Sequence, residues 1–210
     1  MTKSSDLWQA NQDLAQACLT HAFVRGIADG TMPRATFAYY VGQDAFFLNA
    51  FARTYSLAAA KTETLEDFAT FHTLASGVLE ELQLHQTYAA NWGINLEEVK
   101  PGPATQRYTD FLTAIAWSQP IGVIAVAVAP CMRLYAFLGQ QLSQQGLAPH
   151  TYSDWIKTYS SSEFEQLTQI LERLIEEQAC LTTTTHSTYR YAMRCELDFF
   201  TAAWEGEERV

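Results

Sequence analysis

The sequence predicts an all-α protein built around one buried helix. Three observations predict it: apolar residues recur at steps of three and four along most of the chain, no stretch alternates as a half-buried strand would, and residues 121–139 are apolar on nearly every side. That last run, Ile-Gly-Val-Ile-Ala-Val-Ala-Val-Ala-Pro-Cys-Met-Arg-Leu-Tyr-Ala-Phe-Leu-Gly, has to lie where other helices enclose it. It meets Pro130 and then a charge at Arg133, which makes it too short and too interrupted to span a bilayer and suits a soluble core.

The elements follow in order. Ser5-Asp6 offers an N-cap, and Leu7, Ala10, Leu14, Ala17 and Cys18 form an apolar stripe up to about His21, so Cys18 is a packing residue. Gly30 and Pro33 close one helix and open the next, in which Phe37, Tyr40, Val41, Asp44, Phe47, Leu48 and Phe51 share a face. Asp44 is thereby placed on a buried stripe, where a carboxylate needs a polar partner or a proton. Either a neighbouring hydroxyl or Arg satisfies it, or it orients a flat heterocycle held between aromatics such as Phe46 and Phe47.

A third periodic stretch runs from Leu65 through Phe68, Phe71, Leu74, Ala75, Val78, Leu79 and Leu82 to a break at Asn91-Trp92-Gly93. His72, His85, Glu80 and Glu81 on it read as solvated, because a metal site in a bundle wants a Glu-x-x-His pair on each of two helices and this region supplies none. Lys100-Pro101-Gly102-Pro103 is a turn, followed by a short helix over residues 105–118 with Tyr108, Phe111, Leu112 and Ile115 inward. The Tyr108 hydroxyl requires a partner there. The central helix then runs to about Gln144, with Gly146 as its stop.

Within it Tyr135 falls four residues after Cys131, on the same face, and Pro130 should kink the backbone and open room beside the sulfur. The plainer reading is that Cys131 packs as a small hydrophobe. Ser153-Asp154 caps a helix with Trp155, Ile156 and Tyr159 inward, and Ser162 with Glu165 resembles a capping box for another carrying Phe164, Leu167, Ile170, Leu171, Leu174 and Ile175. Cys180 closes it. Residues 182–185, four threonines, read as a turn before a last helix over 189–204, on which Glu196 lies beside Cys195, Phe199 and Phe200.

Composition narrows the function. The 210 residues contain no linker-like stretch and are expected to form a single helical domain, 1–210. A net charge of -10, with 13 Lys and Arg against 23 Asp and Glu spread along the chain, argues against a nucleic-acid partner. The first residues lack the apolar core of a secretory signal, so a reducing cytosol and four free thiols are expected, with no membrane partner.

Four helices thus each carry a reactive or polar group among aromatics: Asp44, Tyr108, Cys131 with Tyr135, and Glu196. Helices that converge on one core would bring these together as a polar-lined interior site. A thiol near a base can present thiolate, and a carboxyl in an apolar setting has its pKa raised into the range of a general acid and base.

Five fragments in register carry a likeness: His21 to Pro33, then Phe37-x-x-Tyr40-Val-x-Gln-Asp44, Pro130-Cys131-x-x-x-Tyr135, Trp155-x-x-x-Tyr159-Ser-Ser-x-x-Phe164, and Glu196-x-x-Phe199-x-x-x-Ala-Trp204. Together, over nearly the whole chain, the sequence resembles the TenA family of thiaminase II enzymes. The resemblance implies a haem-oxygenase-like helical bundle, a cytoplasmic homotetramer, and no metal or organic cofactor. It implies hydrolysis of 4-amino-5-aminomethyl-2-methylpyrimidine, or of thiamine, to the hydroxymethylpyrimidine for thiamine salvage. By the same match Cys131 is the nucleophilic thiol of the Cys-containing branch, acting as thiolate, and Glu196 the acid and base. Asp44 grips the aminopyrimidine, and Phe47, Tyr108, Tyr135, Tyr159 and Phe199 form the walls. Ala45 and Phe46 after Asp44, and Cys195 beside Glu196, depart from the family pattern and bear on substrate preference. Two rivals remain open: a pyrimidine-binding or regulatory protein with an inert Cys131, and a haem or di-iron oxidase of the same architecture with His21 as an axial ligand.

Overall fold

The computed structural model describes residues 2–91, 94–96, 98–144 and 149–206, and these form ten helices and no strand. In chain order they are α1 (Lys3–Gln9), α2 (Gln12–Thr20), α3 (Ala22–Ala28), α4 (Arg34–Lys61), α5 (Leu65–Asn91), α6 (Pro103–Ser118), α7 (Ile121–Ser143), α8 (Ser153–Tyr159), α9 (Ser162–Gln178) and α10 (Thr183–Glu205). The breaks expected at Trp92-Gly93 and at Gly146, and the side chain of His85, lie outside the described residues.

α7 is the axis of the bundle, touching α2, α4, α6, α8, α9 and α10. It continues past Arg133 to Ser143, so it is long and apolar enough to cross a bilayer, contrary to the sequence reading of its length. What makes it a core helix is that 72% of its apolar window is buried by neighbouring helices. Two of its glycines admit those neighbours: a Cβ at Gly122 would meet the backbone of Gln178 and Ala179, and one at Gly139 the backbone of Tyr159 and Ser160. Arg133, the charge inside this helix, is compensated by Glu172 at 2.7 Å and Glu165 at 3.0 Å, which tie α9 to α7.

α4 and α5 are joined by three residues and pack along their length as an antiparallel pair, with α6 on the far side of α4. Gln43 fixes the turn before α6: its amide nitrogen donates to the Lys100 carbonyl at 3.0 Å, and its oxygen accepts from Gly102 N and Thr105 Oγ1 at 2.8 and 2.6 Å. The next residue, Asp44, is held buried by that anchored turn of helix.

Several local expectations shift. The first helix is two, α1 and α2, with Thr2 rather than Ser5-Asp6 as the cap. Ser161, not Ser162, caps α9, which frees Glu165 for Arg133. Ser153 is the first residue of α8, and its hydroxyl accepts from His150 N at 2.8 Å. The four threonines are no turn: Thr182 and Thr185 form a reciprocal capping box, so α10 starts at Thr183. Leu65 and Phe68, read as inward, are 82% and 43% exposed. His21 caps α3 through Nδ1, which accepts from Phe23 N at 3.1 Å, while its Nε2 lies 3.2 Å from Thr201 Oγ1. Both ring nitrogens are engaged, which removes the axial-ligand reading.

Candidate active site

α4, α5, α7, α8 and α9 enclose a cavity of about 210 Å³. Helical spacing delivers its walls. On α4, Asp44, Phe47, Phe51 and Tyr55 step by three and four along one face; on α7, Cys131 and Tyr135 are one turn apart; α8 adds Tyr159, and α9 adds Phe164 and Leu167. The Tyr135 and Tyr159 rings pack at 4.7 Å, and Tyr159 meets Phe164 at 4.9 Å. Tyr135 is fixed at its hydroxyl, 3.2 Å from that of Tyr40, which in turn accepts from Trp155 Nε1 at 3.3 Å.

Of the eight residues singled out from sequence, Asp44, Phe47, Cys131, Tyr135 and Tyr159 line this cavity. Glu196, Tyr108 and Phe199 stand one layer behind it, all buried. Phe199 and Tyr108 pack on Phe47 at 6.4 and 5.0 Å. Glu196, 2% exposed, accepts from the Tyr108 hydroxyl at 2.7 Å and stands close enough to the Cys131 thiol for each to shift the other's pKa. Residues 108, 131 and 196, on three separate helices, are therefore one polar relay whose sulfur end faces the cavity. Cys131 is half-buried, accessible from the cavity and shielded on its other sides.

The electrostatics follow from burial. Desolvation, helped by the nearby charge of Asp44 and opposed by the bond from Tyr108 and by Cys131, pushes the Glu196 carboxyl up to about 8. Desolvation likewise brings Asp44 to about 7. The Cys131 thiol is pushed well above its usual range, first by burial and then by Glu196, Asp44 and Glu81. Beside these acids, and with no Lys or Arg among the described residues that line the cavity, the sulfur is held toward its thiol form, so that a thiolate requires its proton to be taken up by a neighbour. The phenols of Tyr55, Tyr108, Tyr135 and Tyr159 are raised by burial too and remain neutral donors.

Among the polar residues of the cavity that sequence reasoning missed are Tyr55 and Glu81. Tyr55 continues the stripe of Phe51 by one turn, and Glu81 follows Leu74 and Gly77 at the same steps, so periodicity could have found both. Glu81 was instead read as solvated. Among the described residues no Lys, Arg or His lines the cavity, and there is no cluster of three potential metal ligands.

Fold and cavity together define a haem-oxygenase-like bundle whose interior presents a thiol and two carboxylates. Haem oxygenase-1 from Synechocystis shares the fold, at a TM-score of 0.67 and 15% identity over 97% of this chain and 92% of its own. Residues 8–206 match the TENA/THI-4/PQQC family, and the chain belongs to it. Among its relatives, a Halalkalibacterium halodurans protein named aminopyrimidine aminohydrolase is 32% identical over 85% of this chain and 83% of its own. A crystal structure of a protein called a TenA family transcription regulator, from Silicibacter, superposes with a TM-score of 0.89 at 26% identity, covering 97% of each chain.

Proposed function

We propose that this chain is an aminopyrimidine aminohydrolase, replacing the amine of 4-amino-5-aminomethyl-2-methylpyrimidine with hydroxyl. The observation that carries the reading is the Tyr108–Glu196–Cys131 relay, opening onto a cavity that also presents Asp44. The similarity to the Halalkalibacterium aminohydrolase supports the same chemistry. A cavity of about 210 Å³ is small beside the roughly 300–1,000 Å³ of drug-sized sites, which favours a single ring over the two rings of thiamine.

Asp44 holds the ring's amino group and adjacent nitrogen, and the aromatic side chains of Phe47, Tyr135 and Tyr159 hold its faces, with Phe199 behind them. As the Cys131 sulfur bonds to the electron-poor ring, its proton passes to Glu196, which delivers it to a ring nitrogen. The added electron density expels the substituent on the exocyclic methylene as ammonia. Water then adds to that methylene, and sulfur departs with its electron pair and regains its proton through Glu196. Tyr108 keeps the carboxylate oriented through each transfer. The scheme consumes one water and needs no metal or organic cofactor.

Cys131→Ser tests the nucleophile. Ammonia release should fall at least about a thousandfold while the thermal midpoint stays within a few degrees, and a variant that retains most of its turnover refutes the assignment. A second reading, a pyrimidine-responsive regulator, is kept in view by the name of the Silicibacter protein; such a protein would gain thermal stability from the pyrimidine and release no ammonia. The enzyme acts as one domain, in the cytoplasm, as a homotetramer. Exposed Leu65 and Phe68 on α5 and Trp117 on α6 are the apolar surface such an assembly would cover, and sedimentation equilibrium decides it.

A further inference from the structure

Tyr55 takes no part in the scheme above. It is 1% exposed, it lines the cavity, and its buried hydroxyl has no hydrogen-bond partner among the described residues. Buried hydroxyls are seldom left so unless a ligand completes them. Glu81 faces the same space from α5. Helical side chains lean toward the N-terminus of their own helix, and α4 and α5 run antiparallel, with Tyr55 against Phe71 at 6.3 Å. Tyr55 therefore leans back toward Phe51 and Glu81 back toward Gly77, and the two lean toward each other. Between them Gly77 leaves room, since a Cβ there would have nothing within 4 Å. The charge of Glu81 is felt at Tyr55, Tyr159 and Cys131, which places all three around one volume.

We infer that Tyr55 and Glu81 form a second polar subsite, which binds the cationic substituent on the exocyclic methylene and selects an ammonium-bearing pyrimidine over its neutral counterpart. The inference rests on the aminohydrolase reading and extends it from the ring to the leaving group. With two carboxylates, several aromatic faces and no basic residue among the described residues of its walls, the cavity suits a cation. The Glu81 carboxylate and the Tyr55 oxygen accept from the ammonium, which keeps the nitrogen protonated. When the carbon–nitrogen bond breaks, its electron pair leaves with nitrogen as neutral ammonia, whereas an unprotonated amine would have to leave as amide ion.

The test compares two probes that differ in that group alone, 4-amino-5-aminomethyl-2-methylpyrimidine and its hydroxymethyl counterpart, by titration calorimetry on the non-turning-over Cys131→Ser protein. Adding Glu81→Gln should weaken the ammonium compound about tenfold or more and leave the hydroxymethyl compound within threefold. Glu81→Asp should restore part of the preference, and Tyr55→Phe should cost the ammonium compound about three- to tenfold. Equal weakening of both probes would make Glu81 a purely structural residue, and unchanged affinity for both would place it outside the site; either overturns the subsite. Failure of the wild-type protein to release ammonia while it binds both probes would instead overturn the aminohydrolase reading and leave the subsite standing on its binding preference.

Discussion

Removing one oxygen atom from Tyr108 should move the enzyme along the pH axis rather than simply weaken it. The hydroxyl donates to Glu196 Oε1 at 2.7 Å, and that bond opposes the burial that otherwise raises the carboxyl to about 8. A hydrogen bond to a charged acceptor is worth about 1.5–3 kcal/mol, or about one to two pKa units at 1.36 kcal/mol per unit. Tyr108→Phe therefore lifts Glu196 to between roughly 9 and 10. At neutral pH the ionised fraction that can accept the Cys131 proton falls from about one tenth to between one hundredth and one thousandth, and ammonia release should drop about 10- to 100-fold. The ring itself stays, so its packing on Phe47 at 5.0 Å is kept. Ammonia release by both proteins across roughly pH 6 to 10 is the assay, and the ascending limb should move up by one to two units, with activity recovering at the alkaline end. A uniform fall with the limb in place would show that Tyr108 shapes the cavity without tuning Glu196, and the proton relay would be wrong.

Three further outcomes follow from the same geometry. The Glu196 carboxyl is raised from 4.5 unfolded to about 8 folded, so the folded chain holds the extra proton between those values and stability falls as pH rises through them. Glu196→Gln should accordingly be more stable than wild type by on the order of 3 kcal/mol near pH 8 and equal to it near pH 4, in denaturant titrations; a pH-independent gap would contradict this. Gly139→Ala puts a methyl group into the backbone of Tyr159 and Ser160, which cannot yield as a side chain can. It should cost about 1–3 kcal/mol and weaken pyrimidine binding through displaced Tyr159, and a fully stable variant with unaltered affinity would show that α8 is free to shift. Binding of the ammonium pyrimidine should release protons at pH 7, seen as a heat that varies with the ionisation enthalpy of the buffer; proton uptake would reverse the electrostatic picture.

Periodicity made the helices legible, because a stripe at steps of three and four is a property of the local sequence alone. It also placed Asp44 inside, since a carboxylate amid Tyr40, Val41, Phe47 and Leu48 can point nowhere else. Caps were less legible: in Ser160-Ser161-Ser162 each residue can cap, and it is Ser161 whose hydroxyl accepts from Phe164 N. The bond between Tyr108 and Glu196 joins residues 88 apart, and no spacing encodes which hydroxyl meets which acid. Glu81 was misread for a similar reason. Beside Glu80 it looks like part of a charged outer face, and only the antiparallel docking of α5 on α4 turns one of the two inward.

The upward push on the Cys131 thiol was not legible in the sequence, and it bears on how the proposed site would work. A thiol near Asp44, Glu81 and Glu196 is held toward its protonated form by burial and by their charges. Ionising any member of this group makes the next ionisation harder, as in any cluster of like charges in a poorly solvated space. The cation that reverses this has to arrive with the ligand. An ammonium placed against Glu81, and a pyrimidine ring that gains a proton during the reaction, bring positive charge to a cavity whose described walls carry none. Each lowers the pKa values of the acids around it, so binding converts Glu196 from a proton store into a base. On the proposed scheme the nucleophile is therefore created by the molecule it attacks, and a neutral pyrimidine of the same shape should occupy the cavity without arming the sulfur.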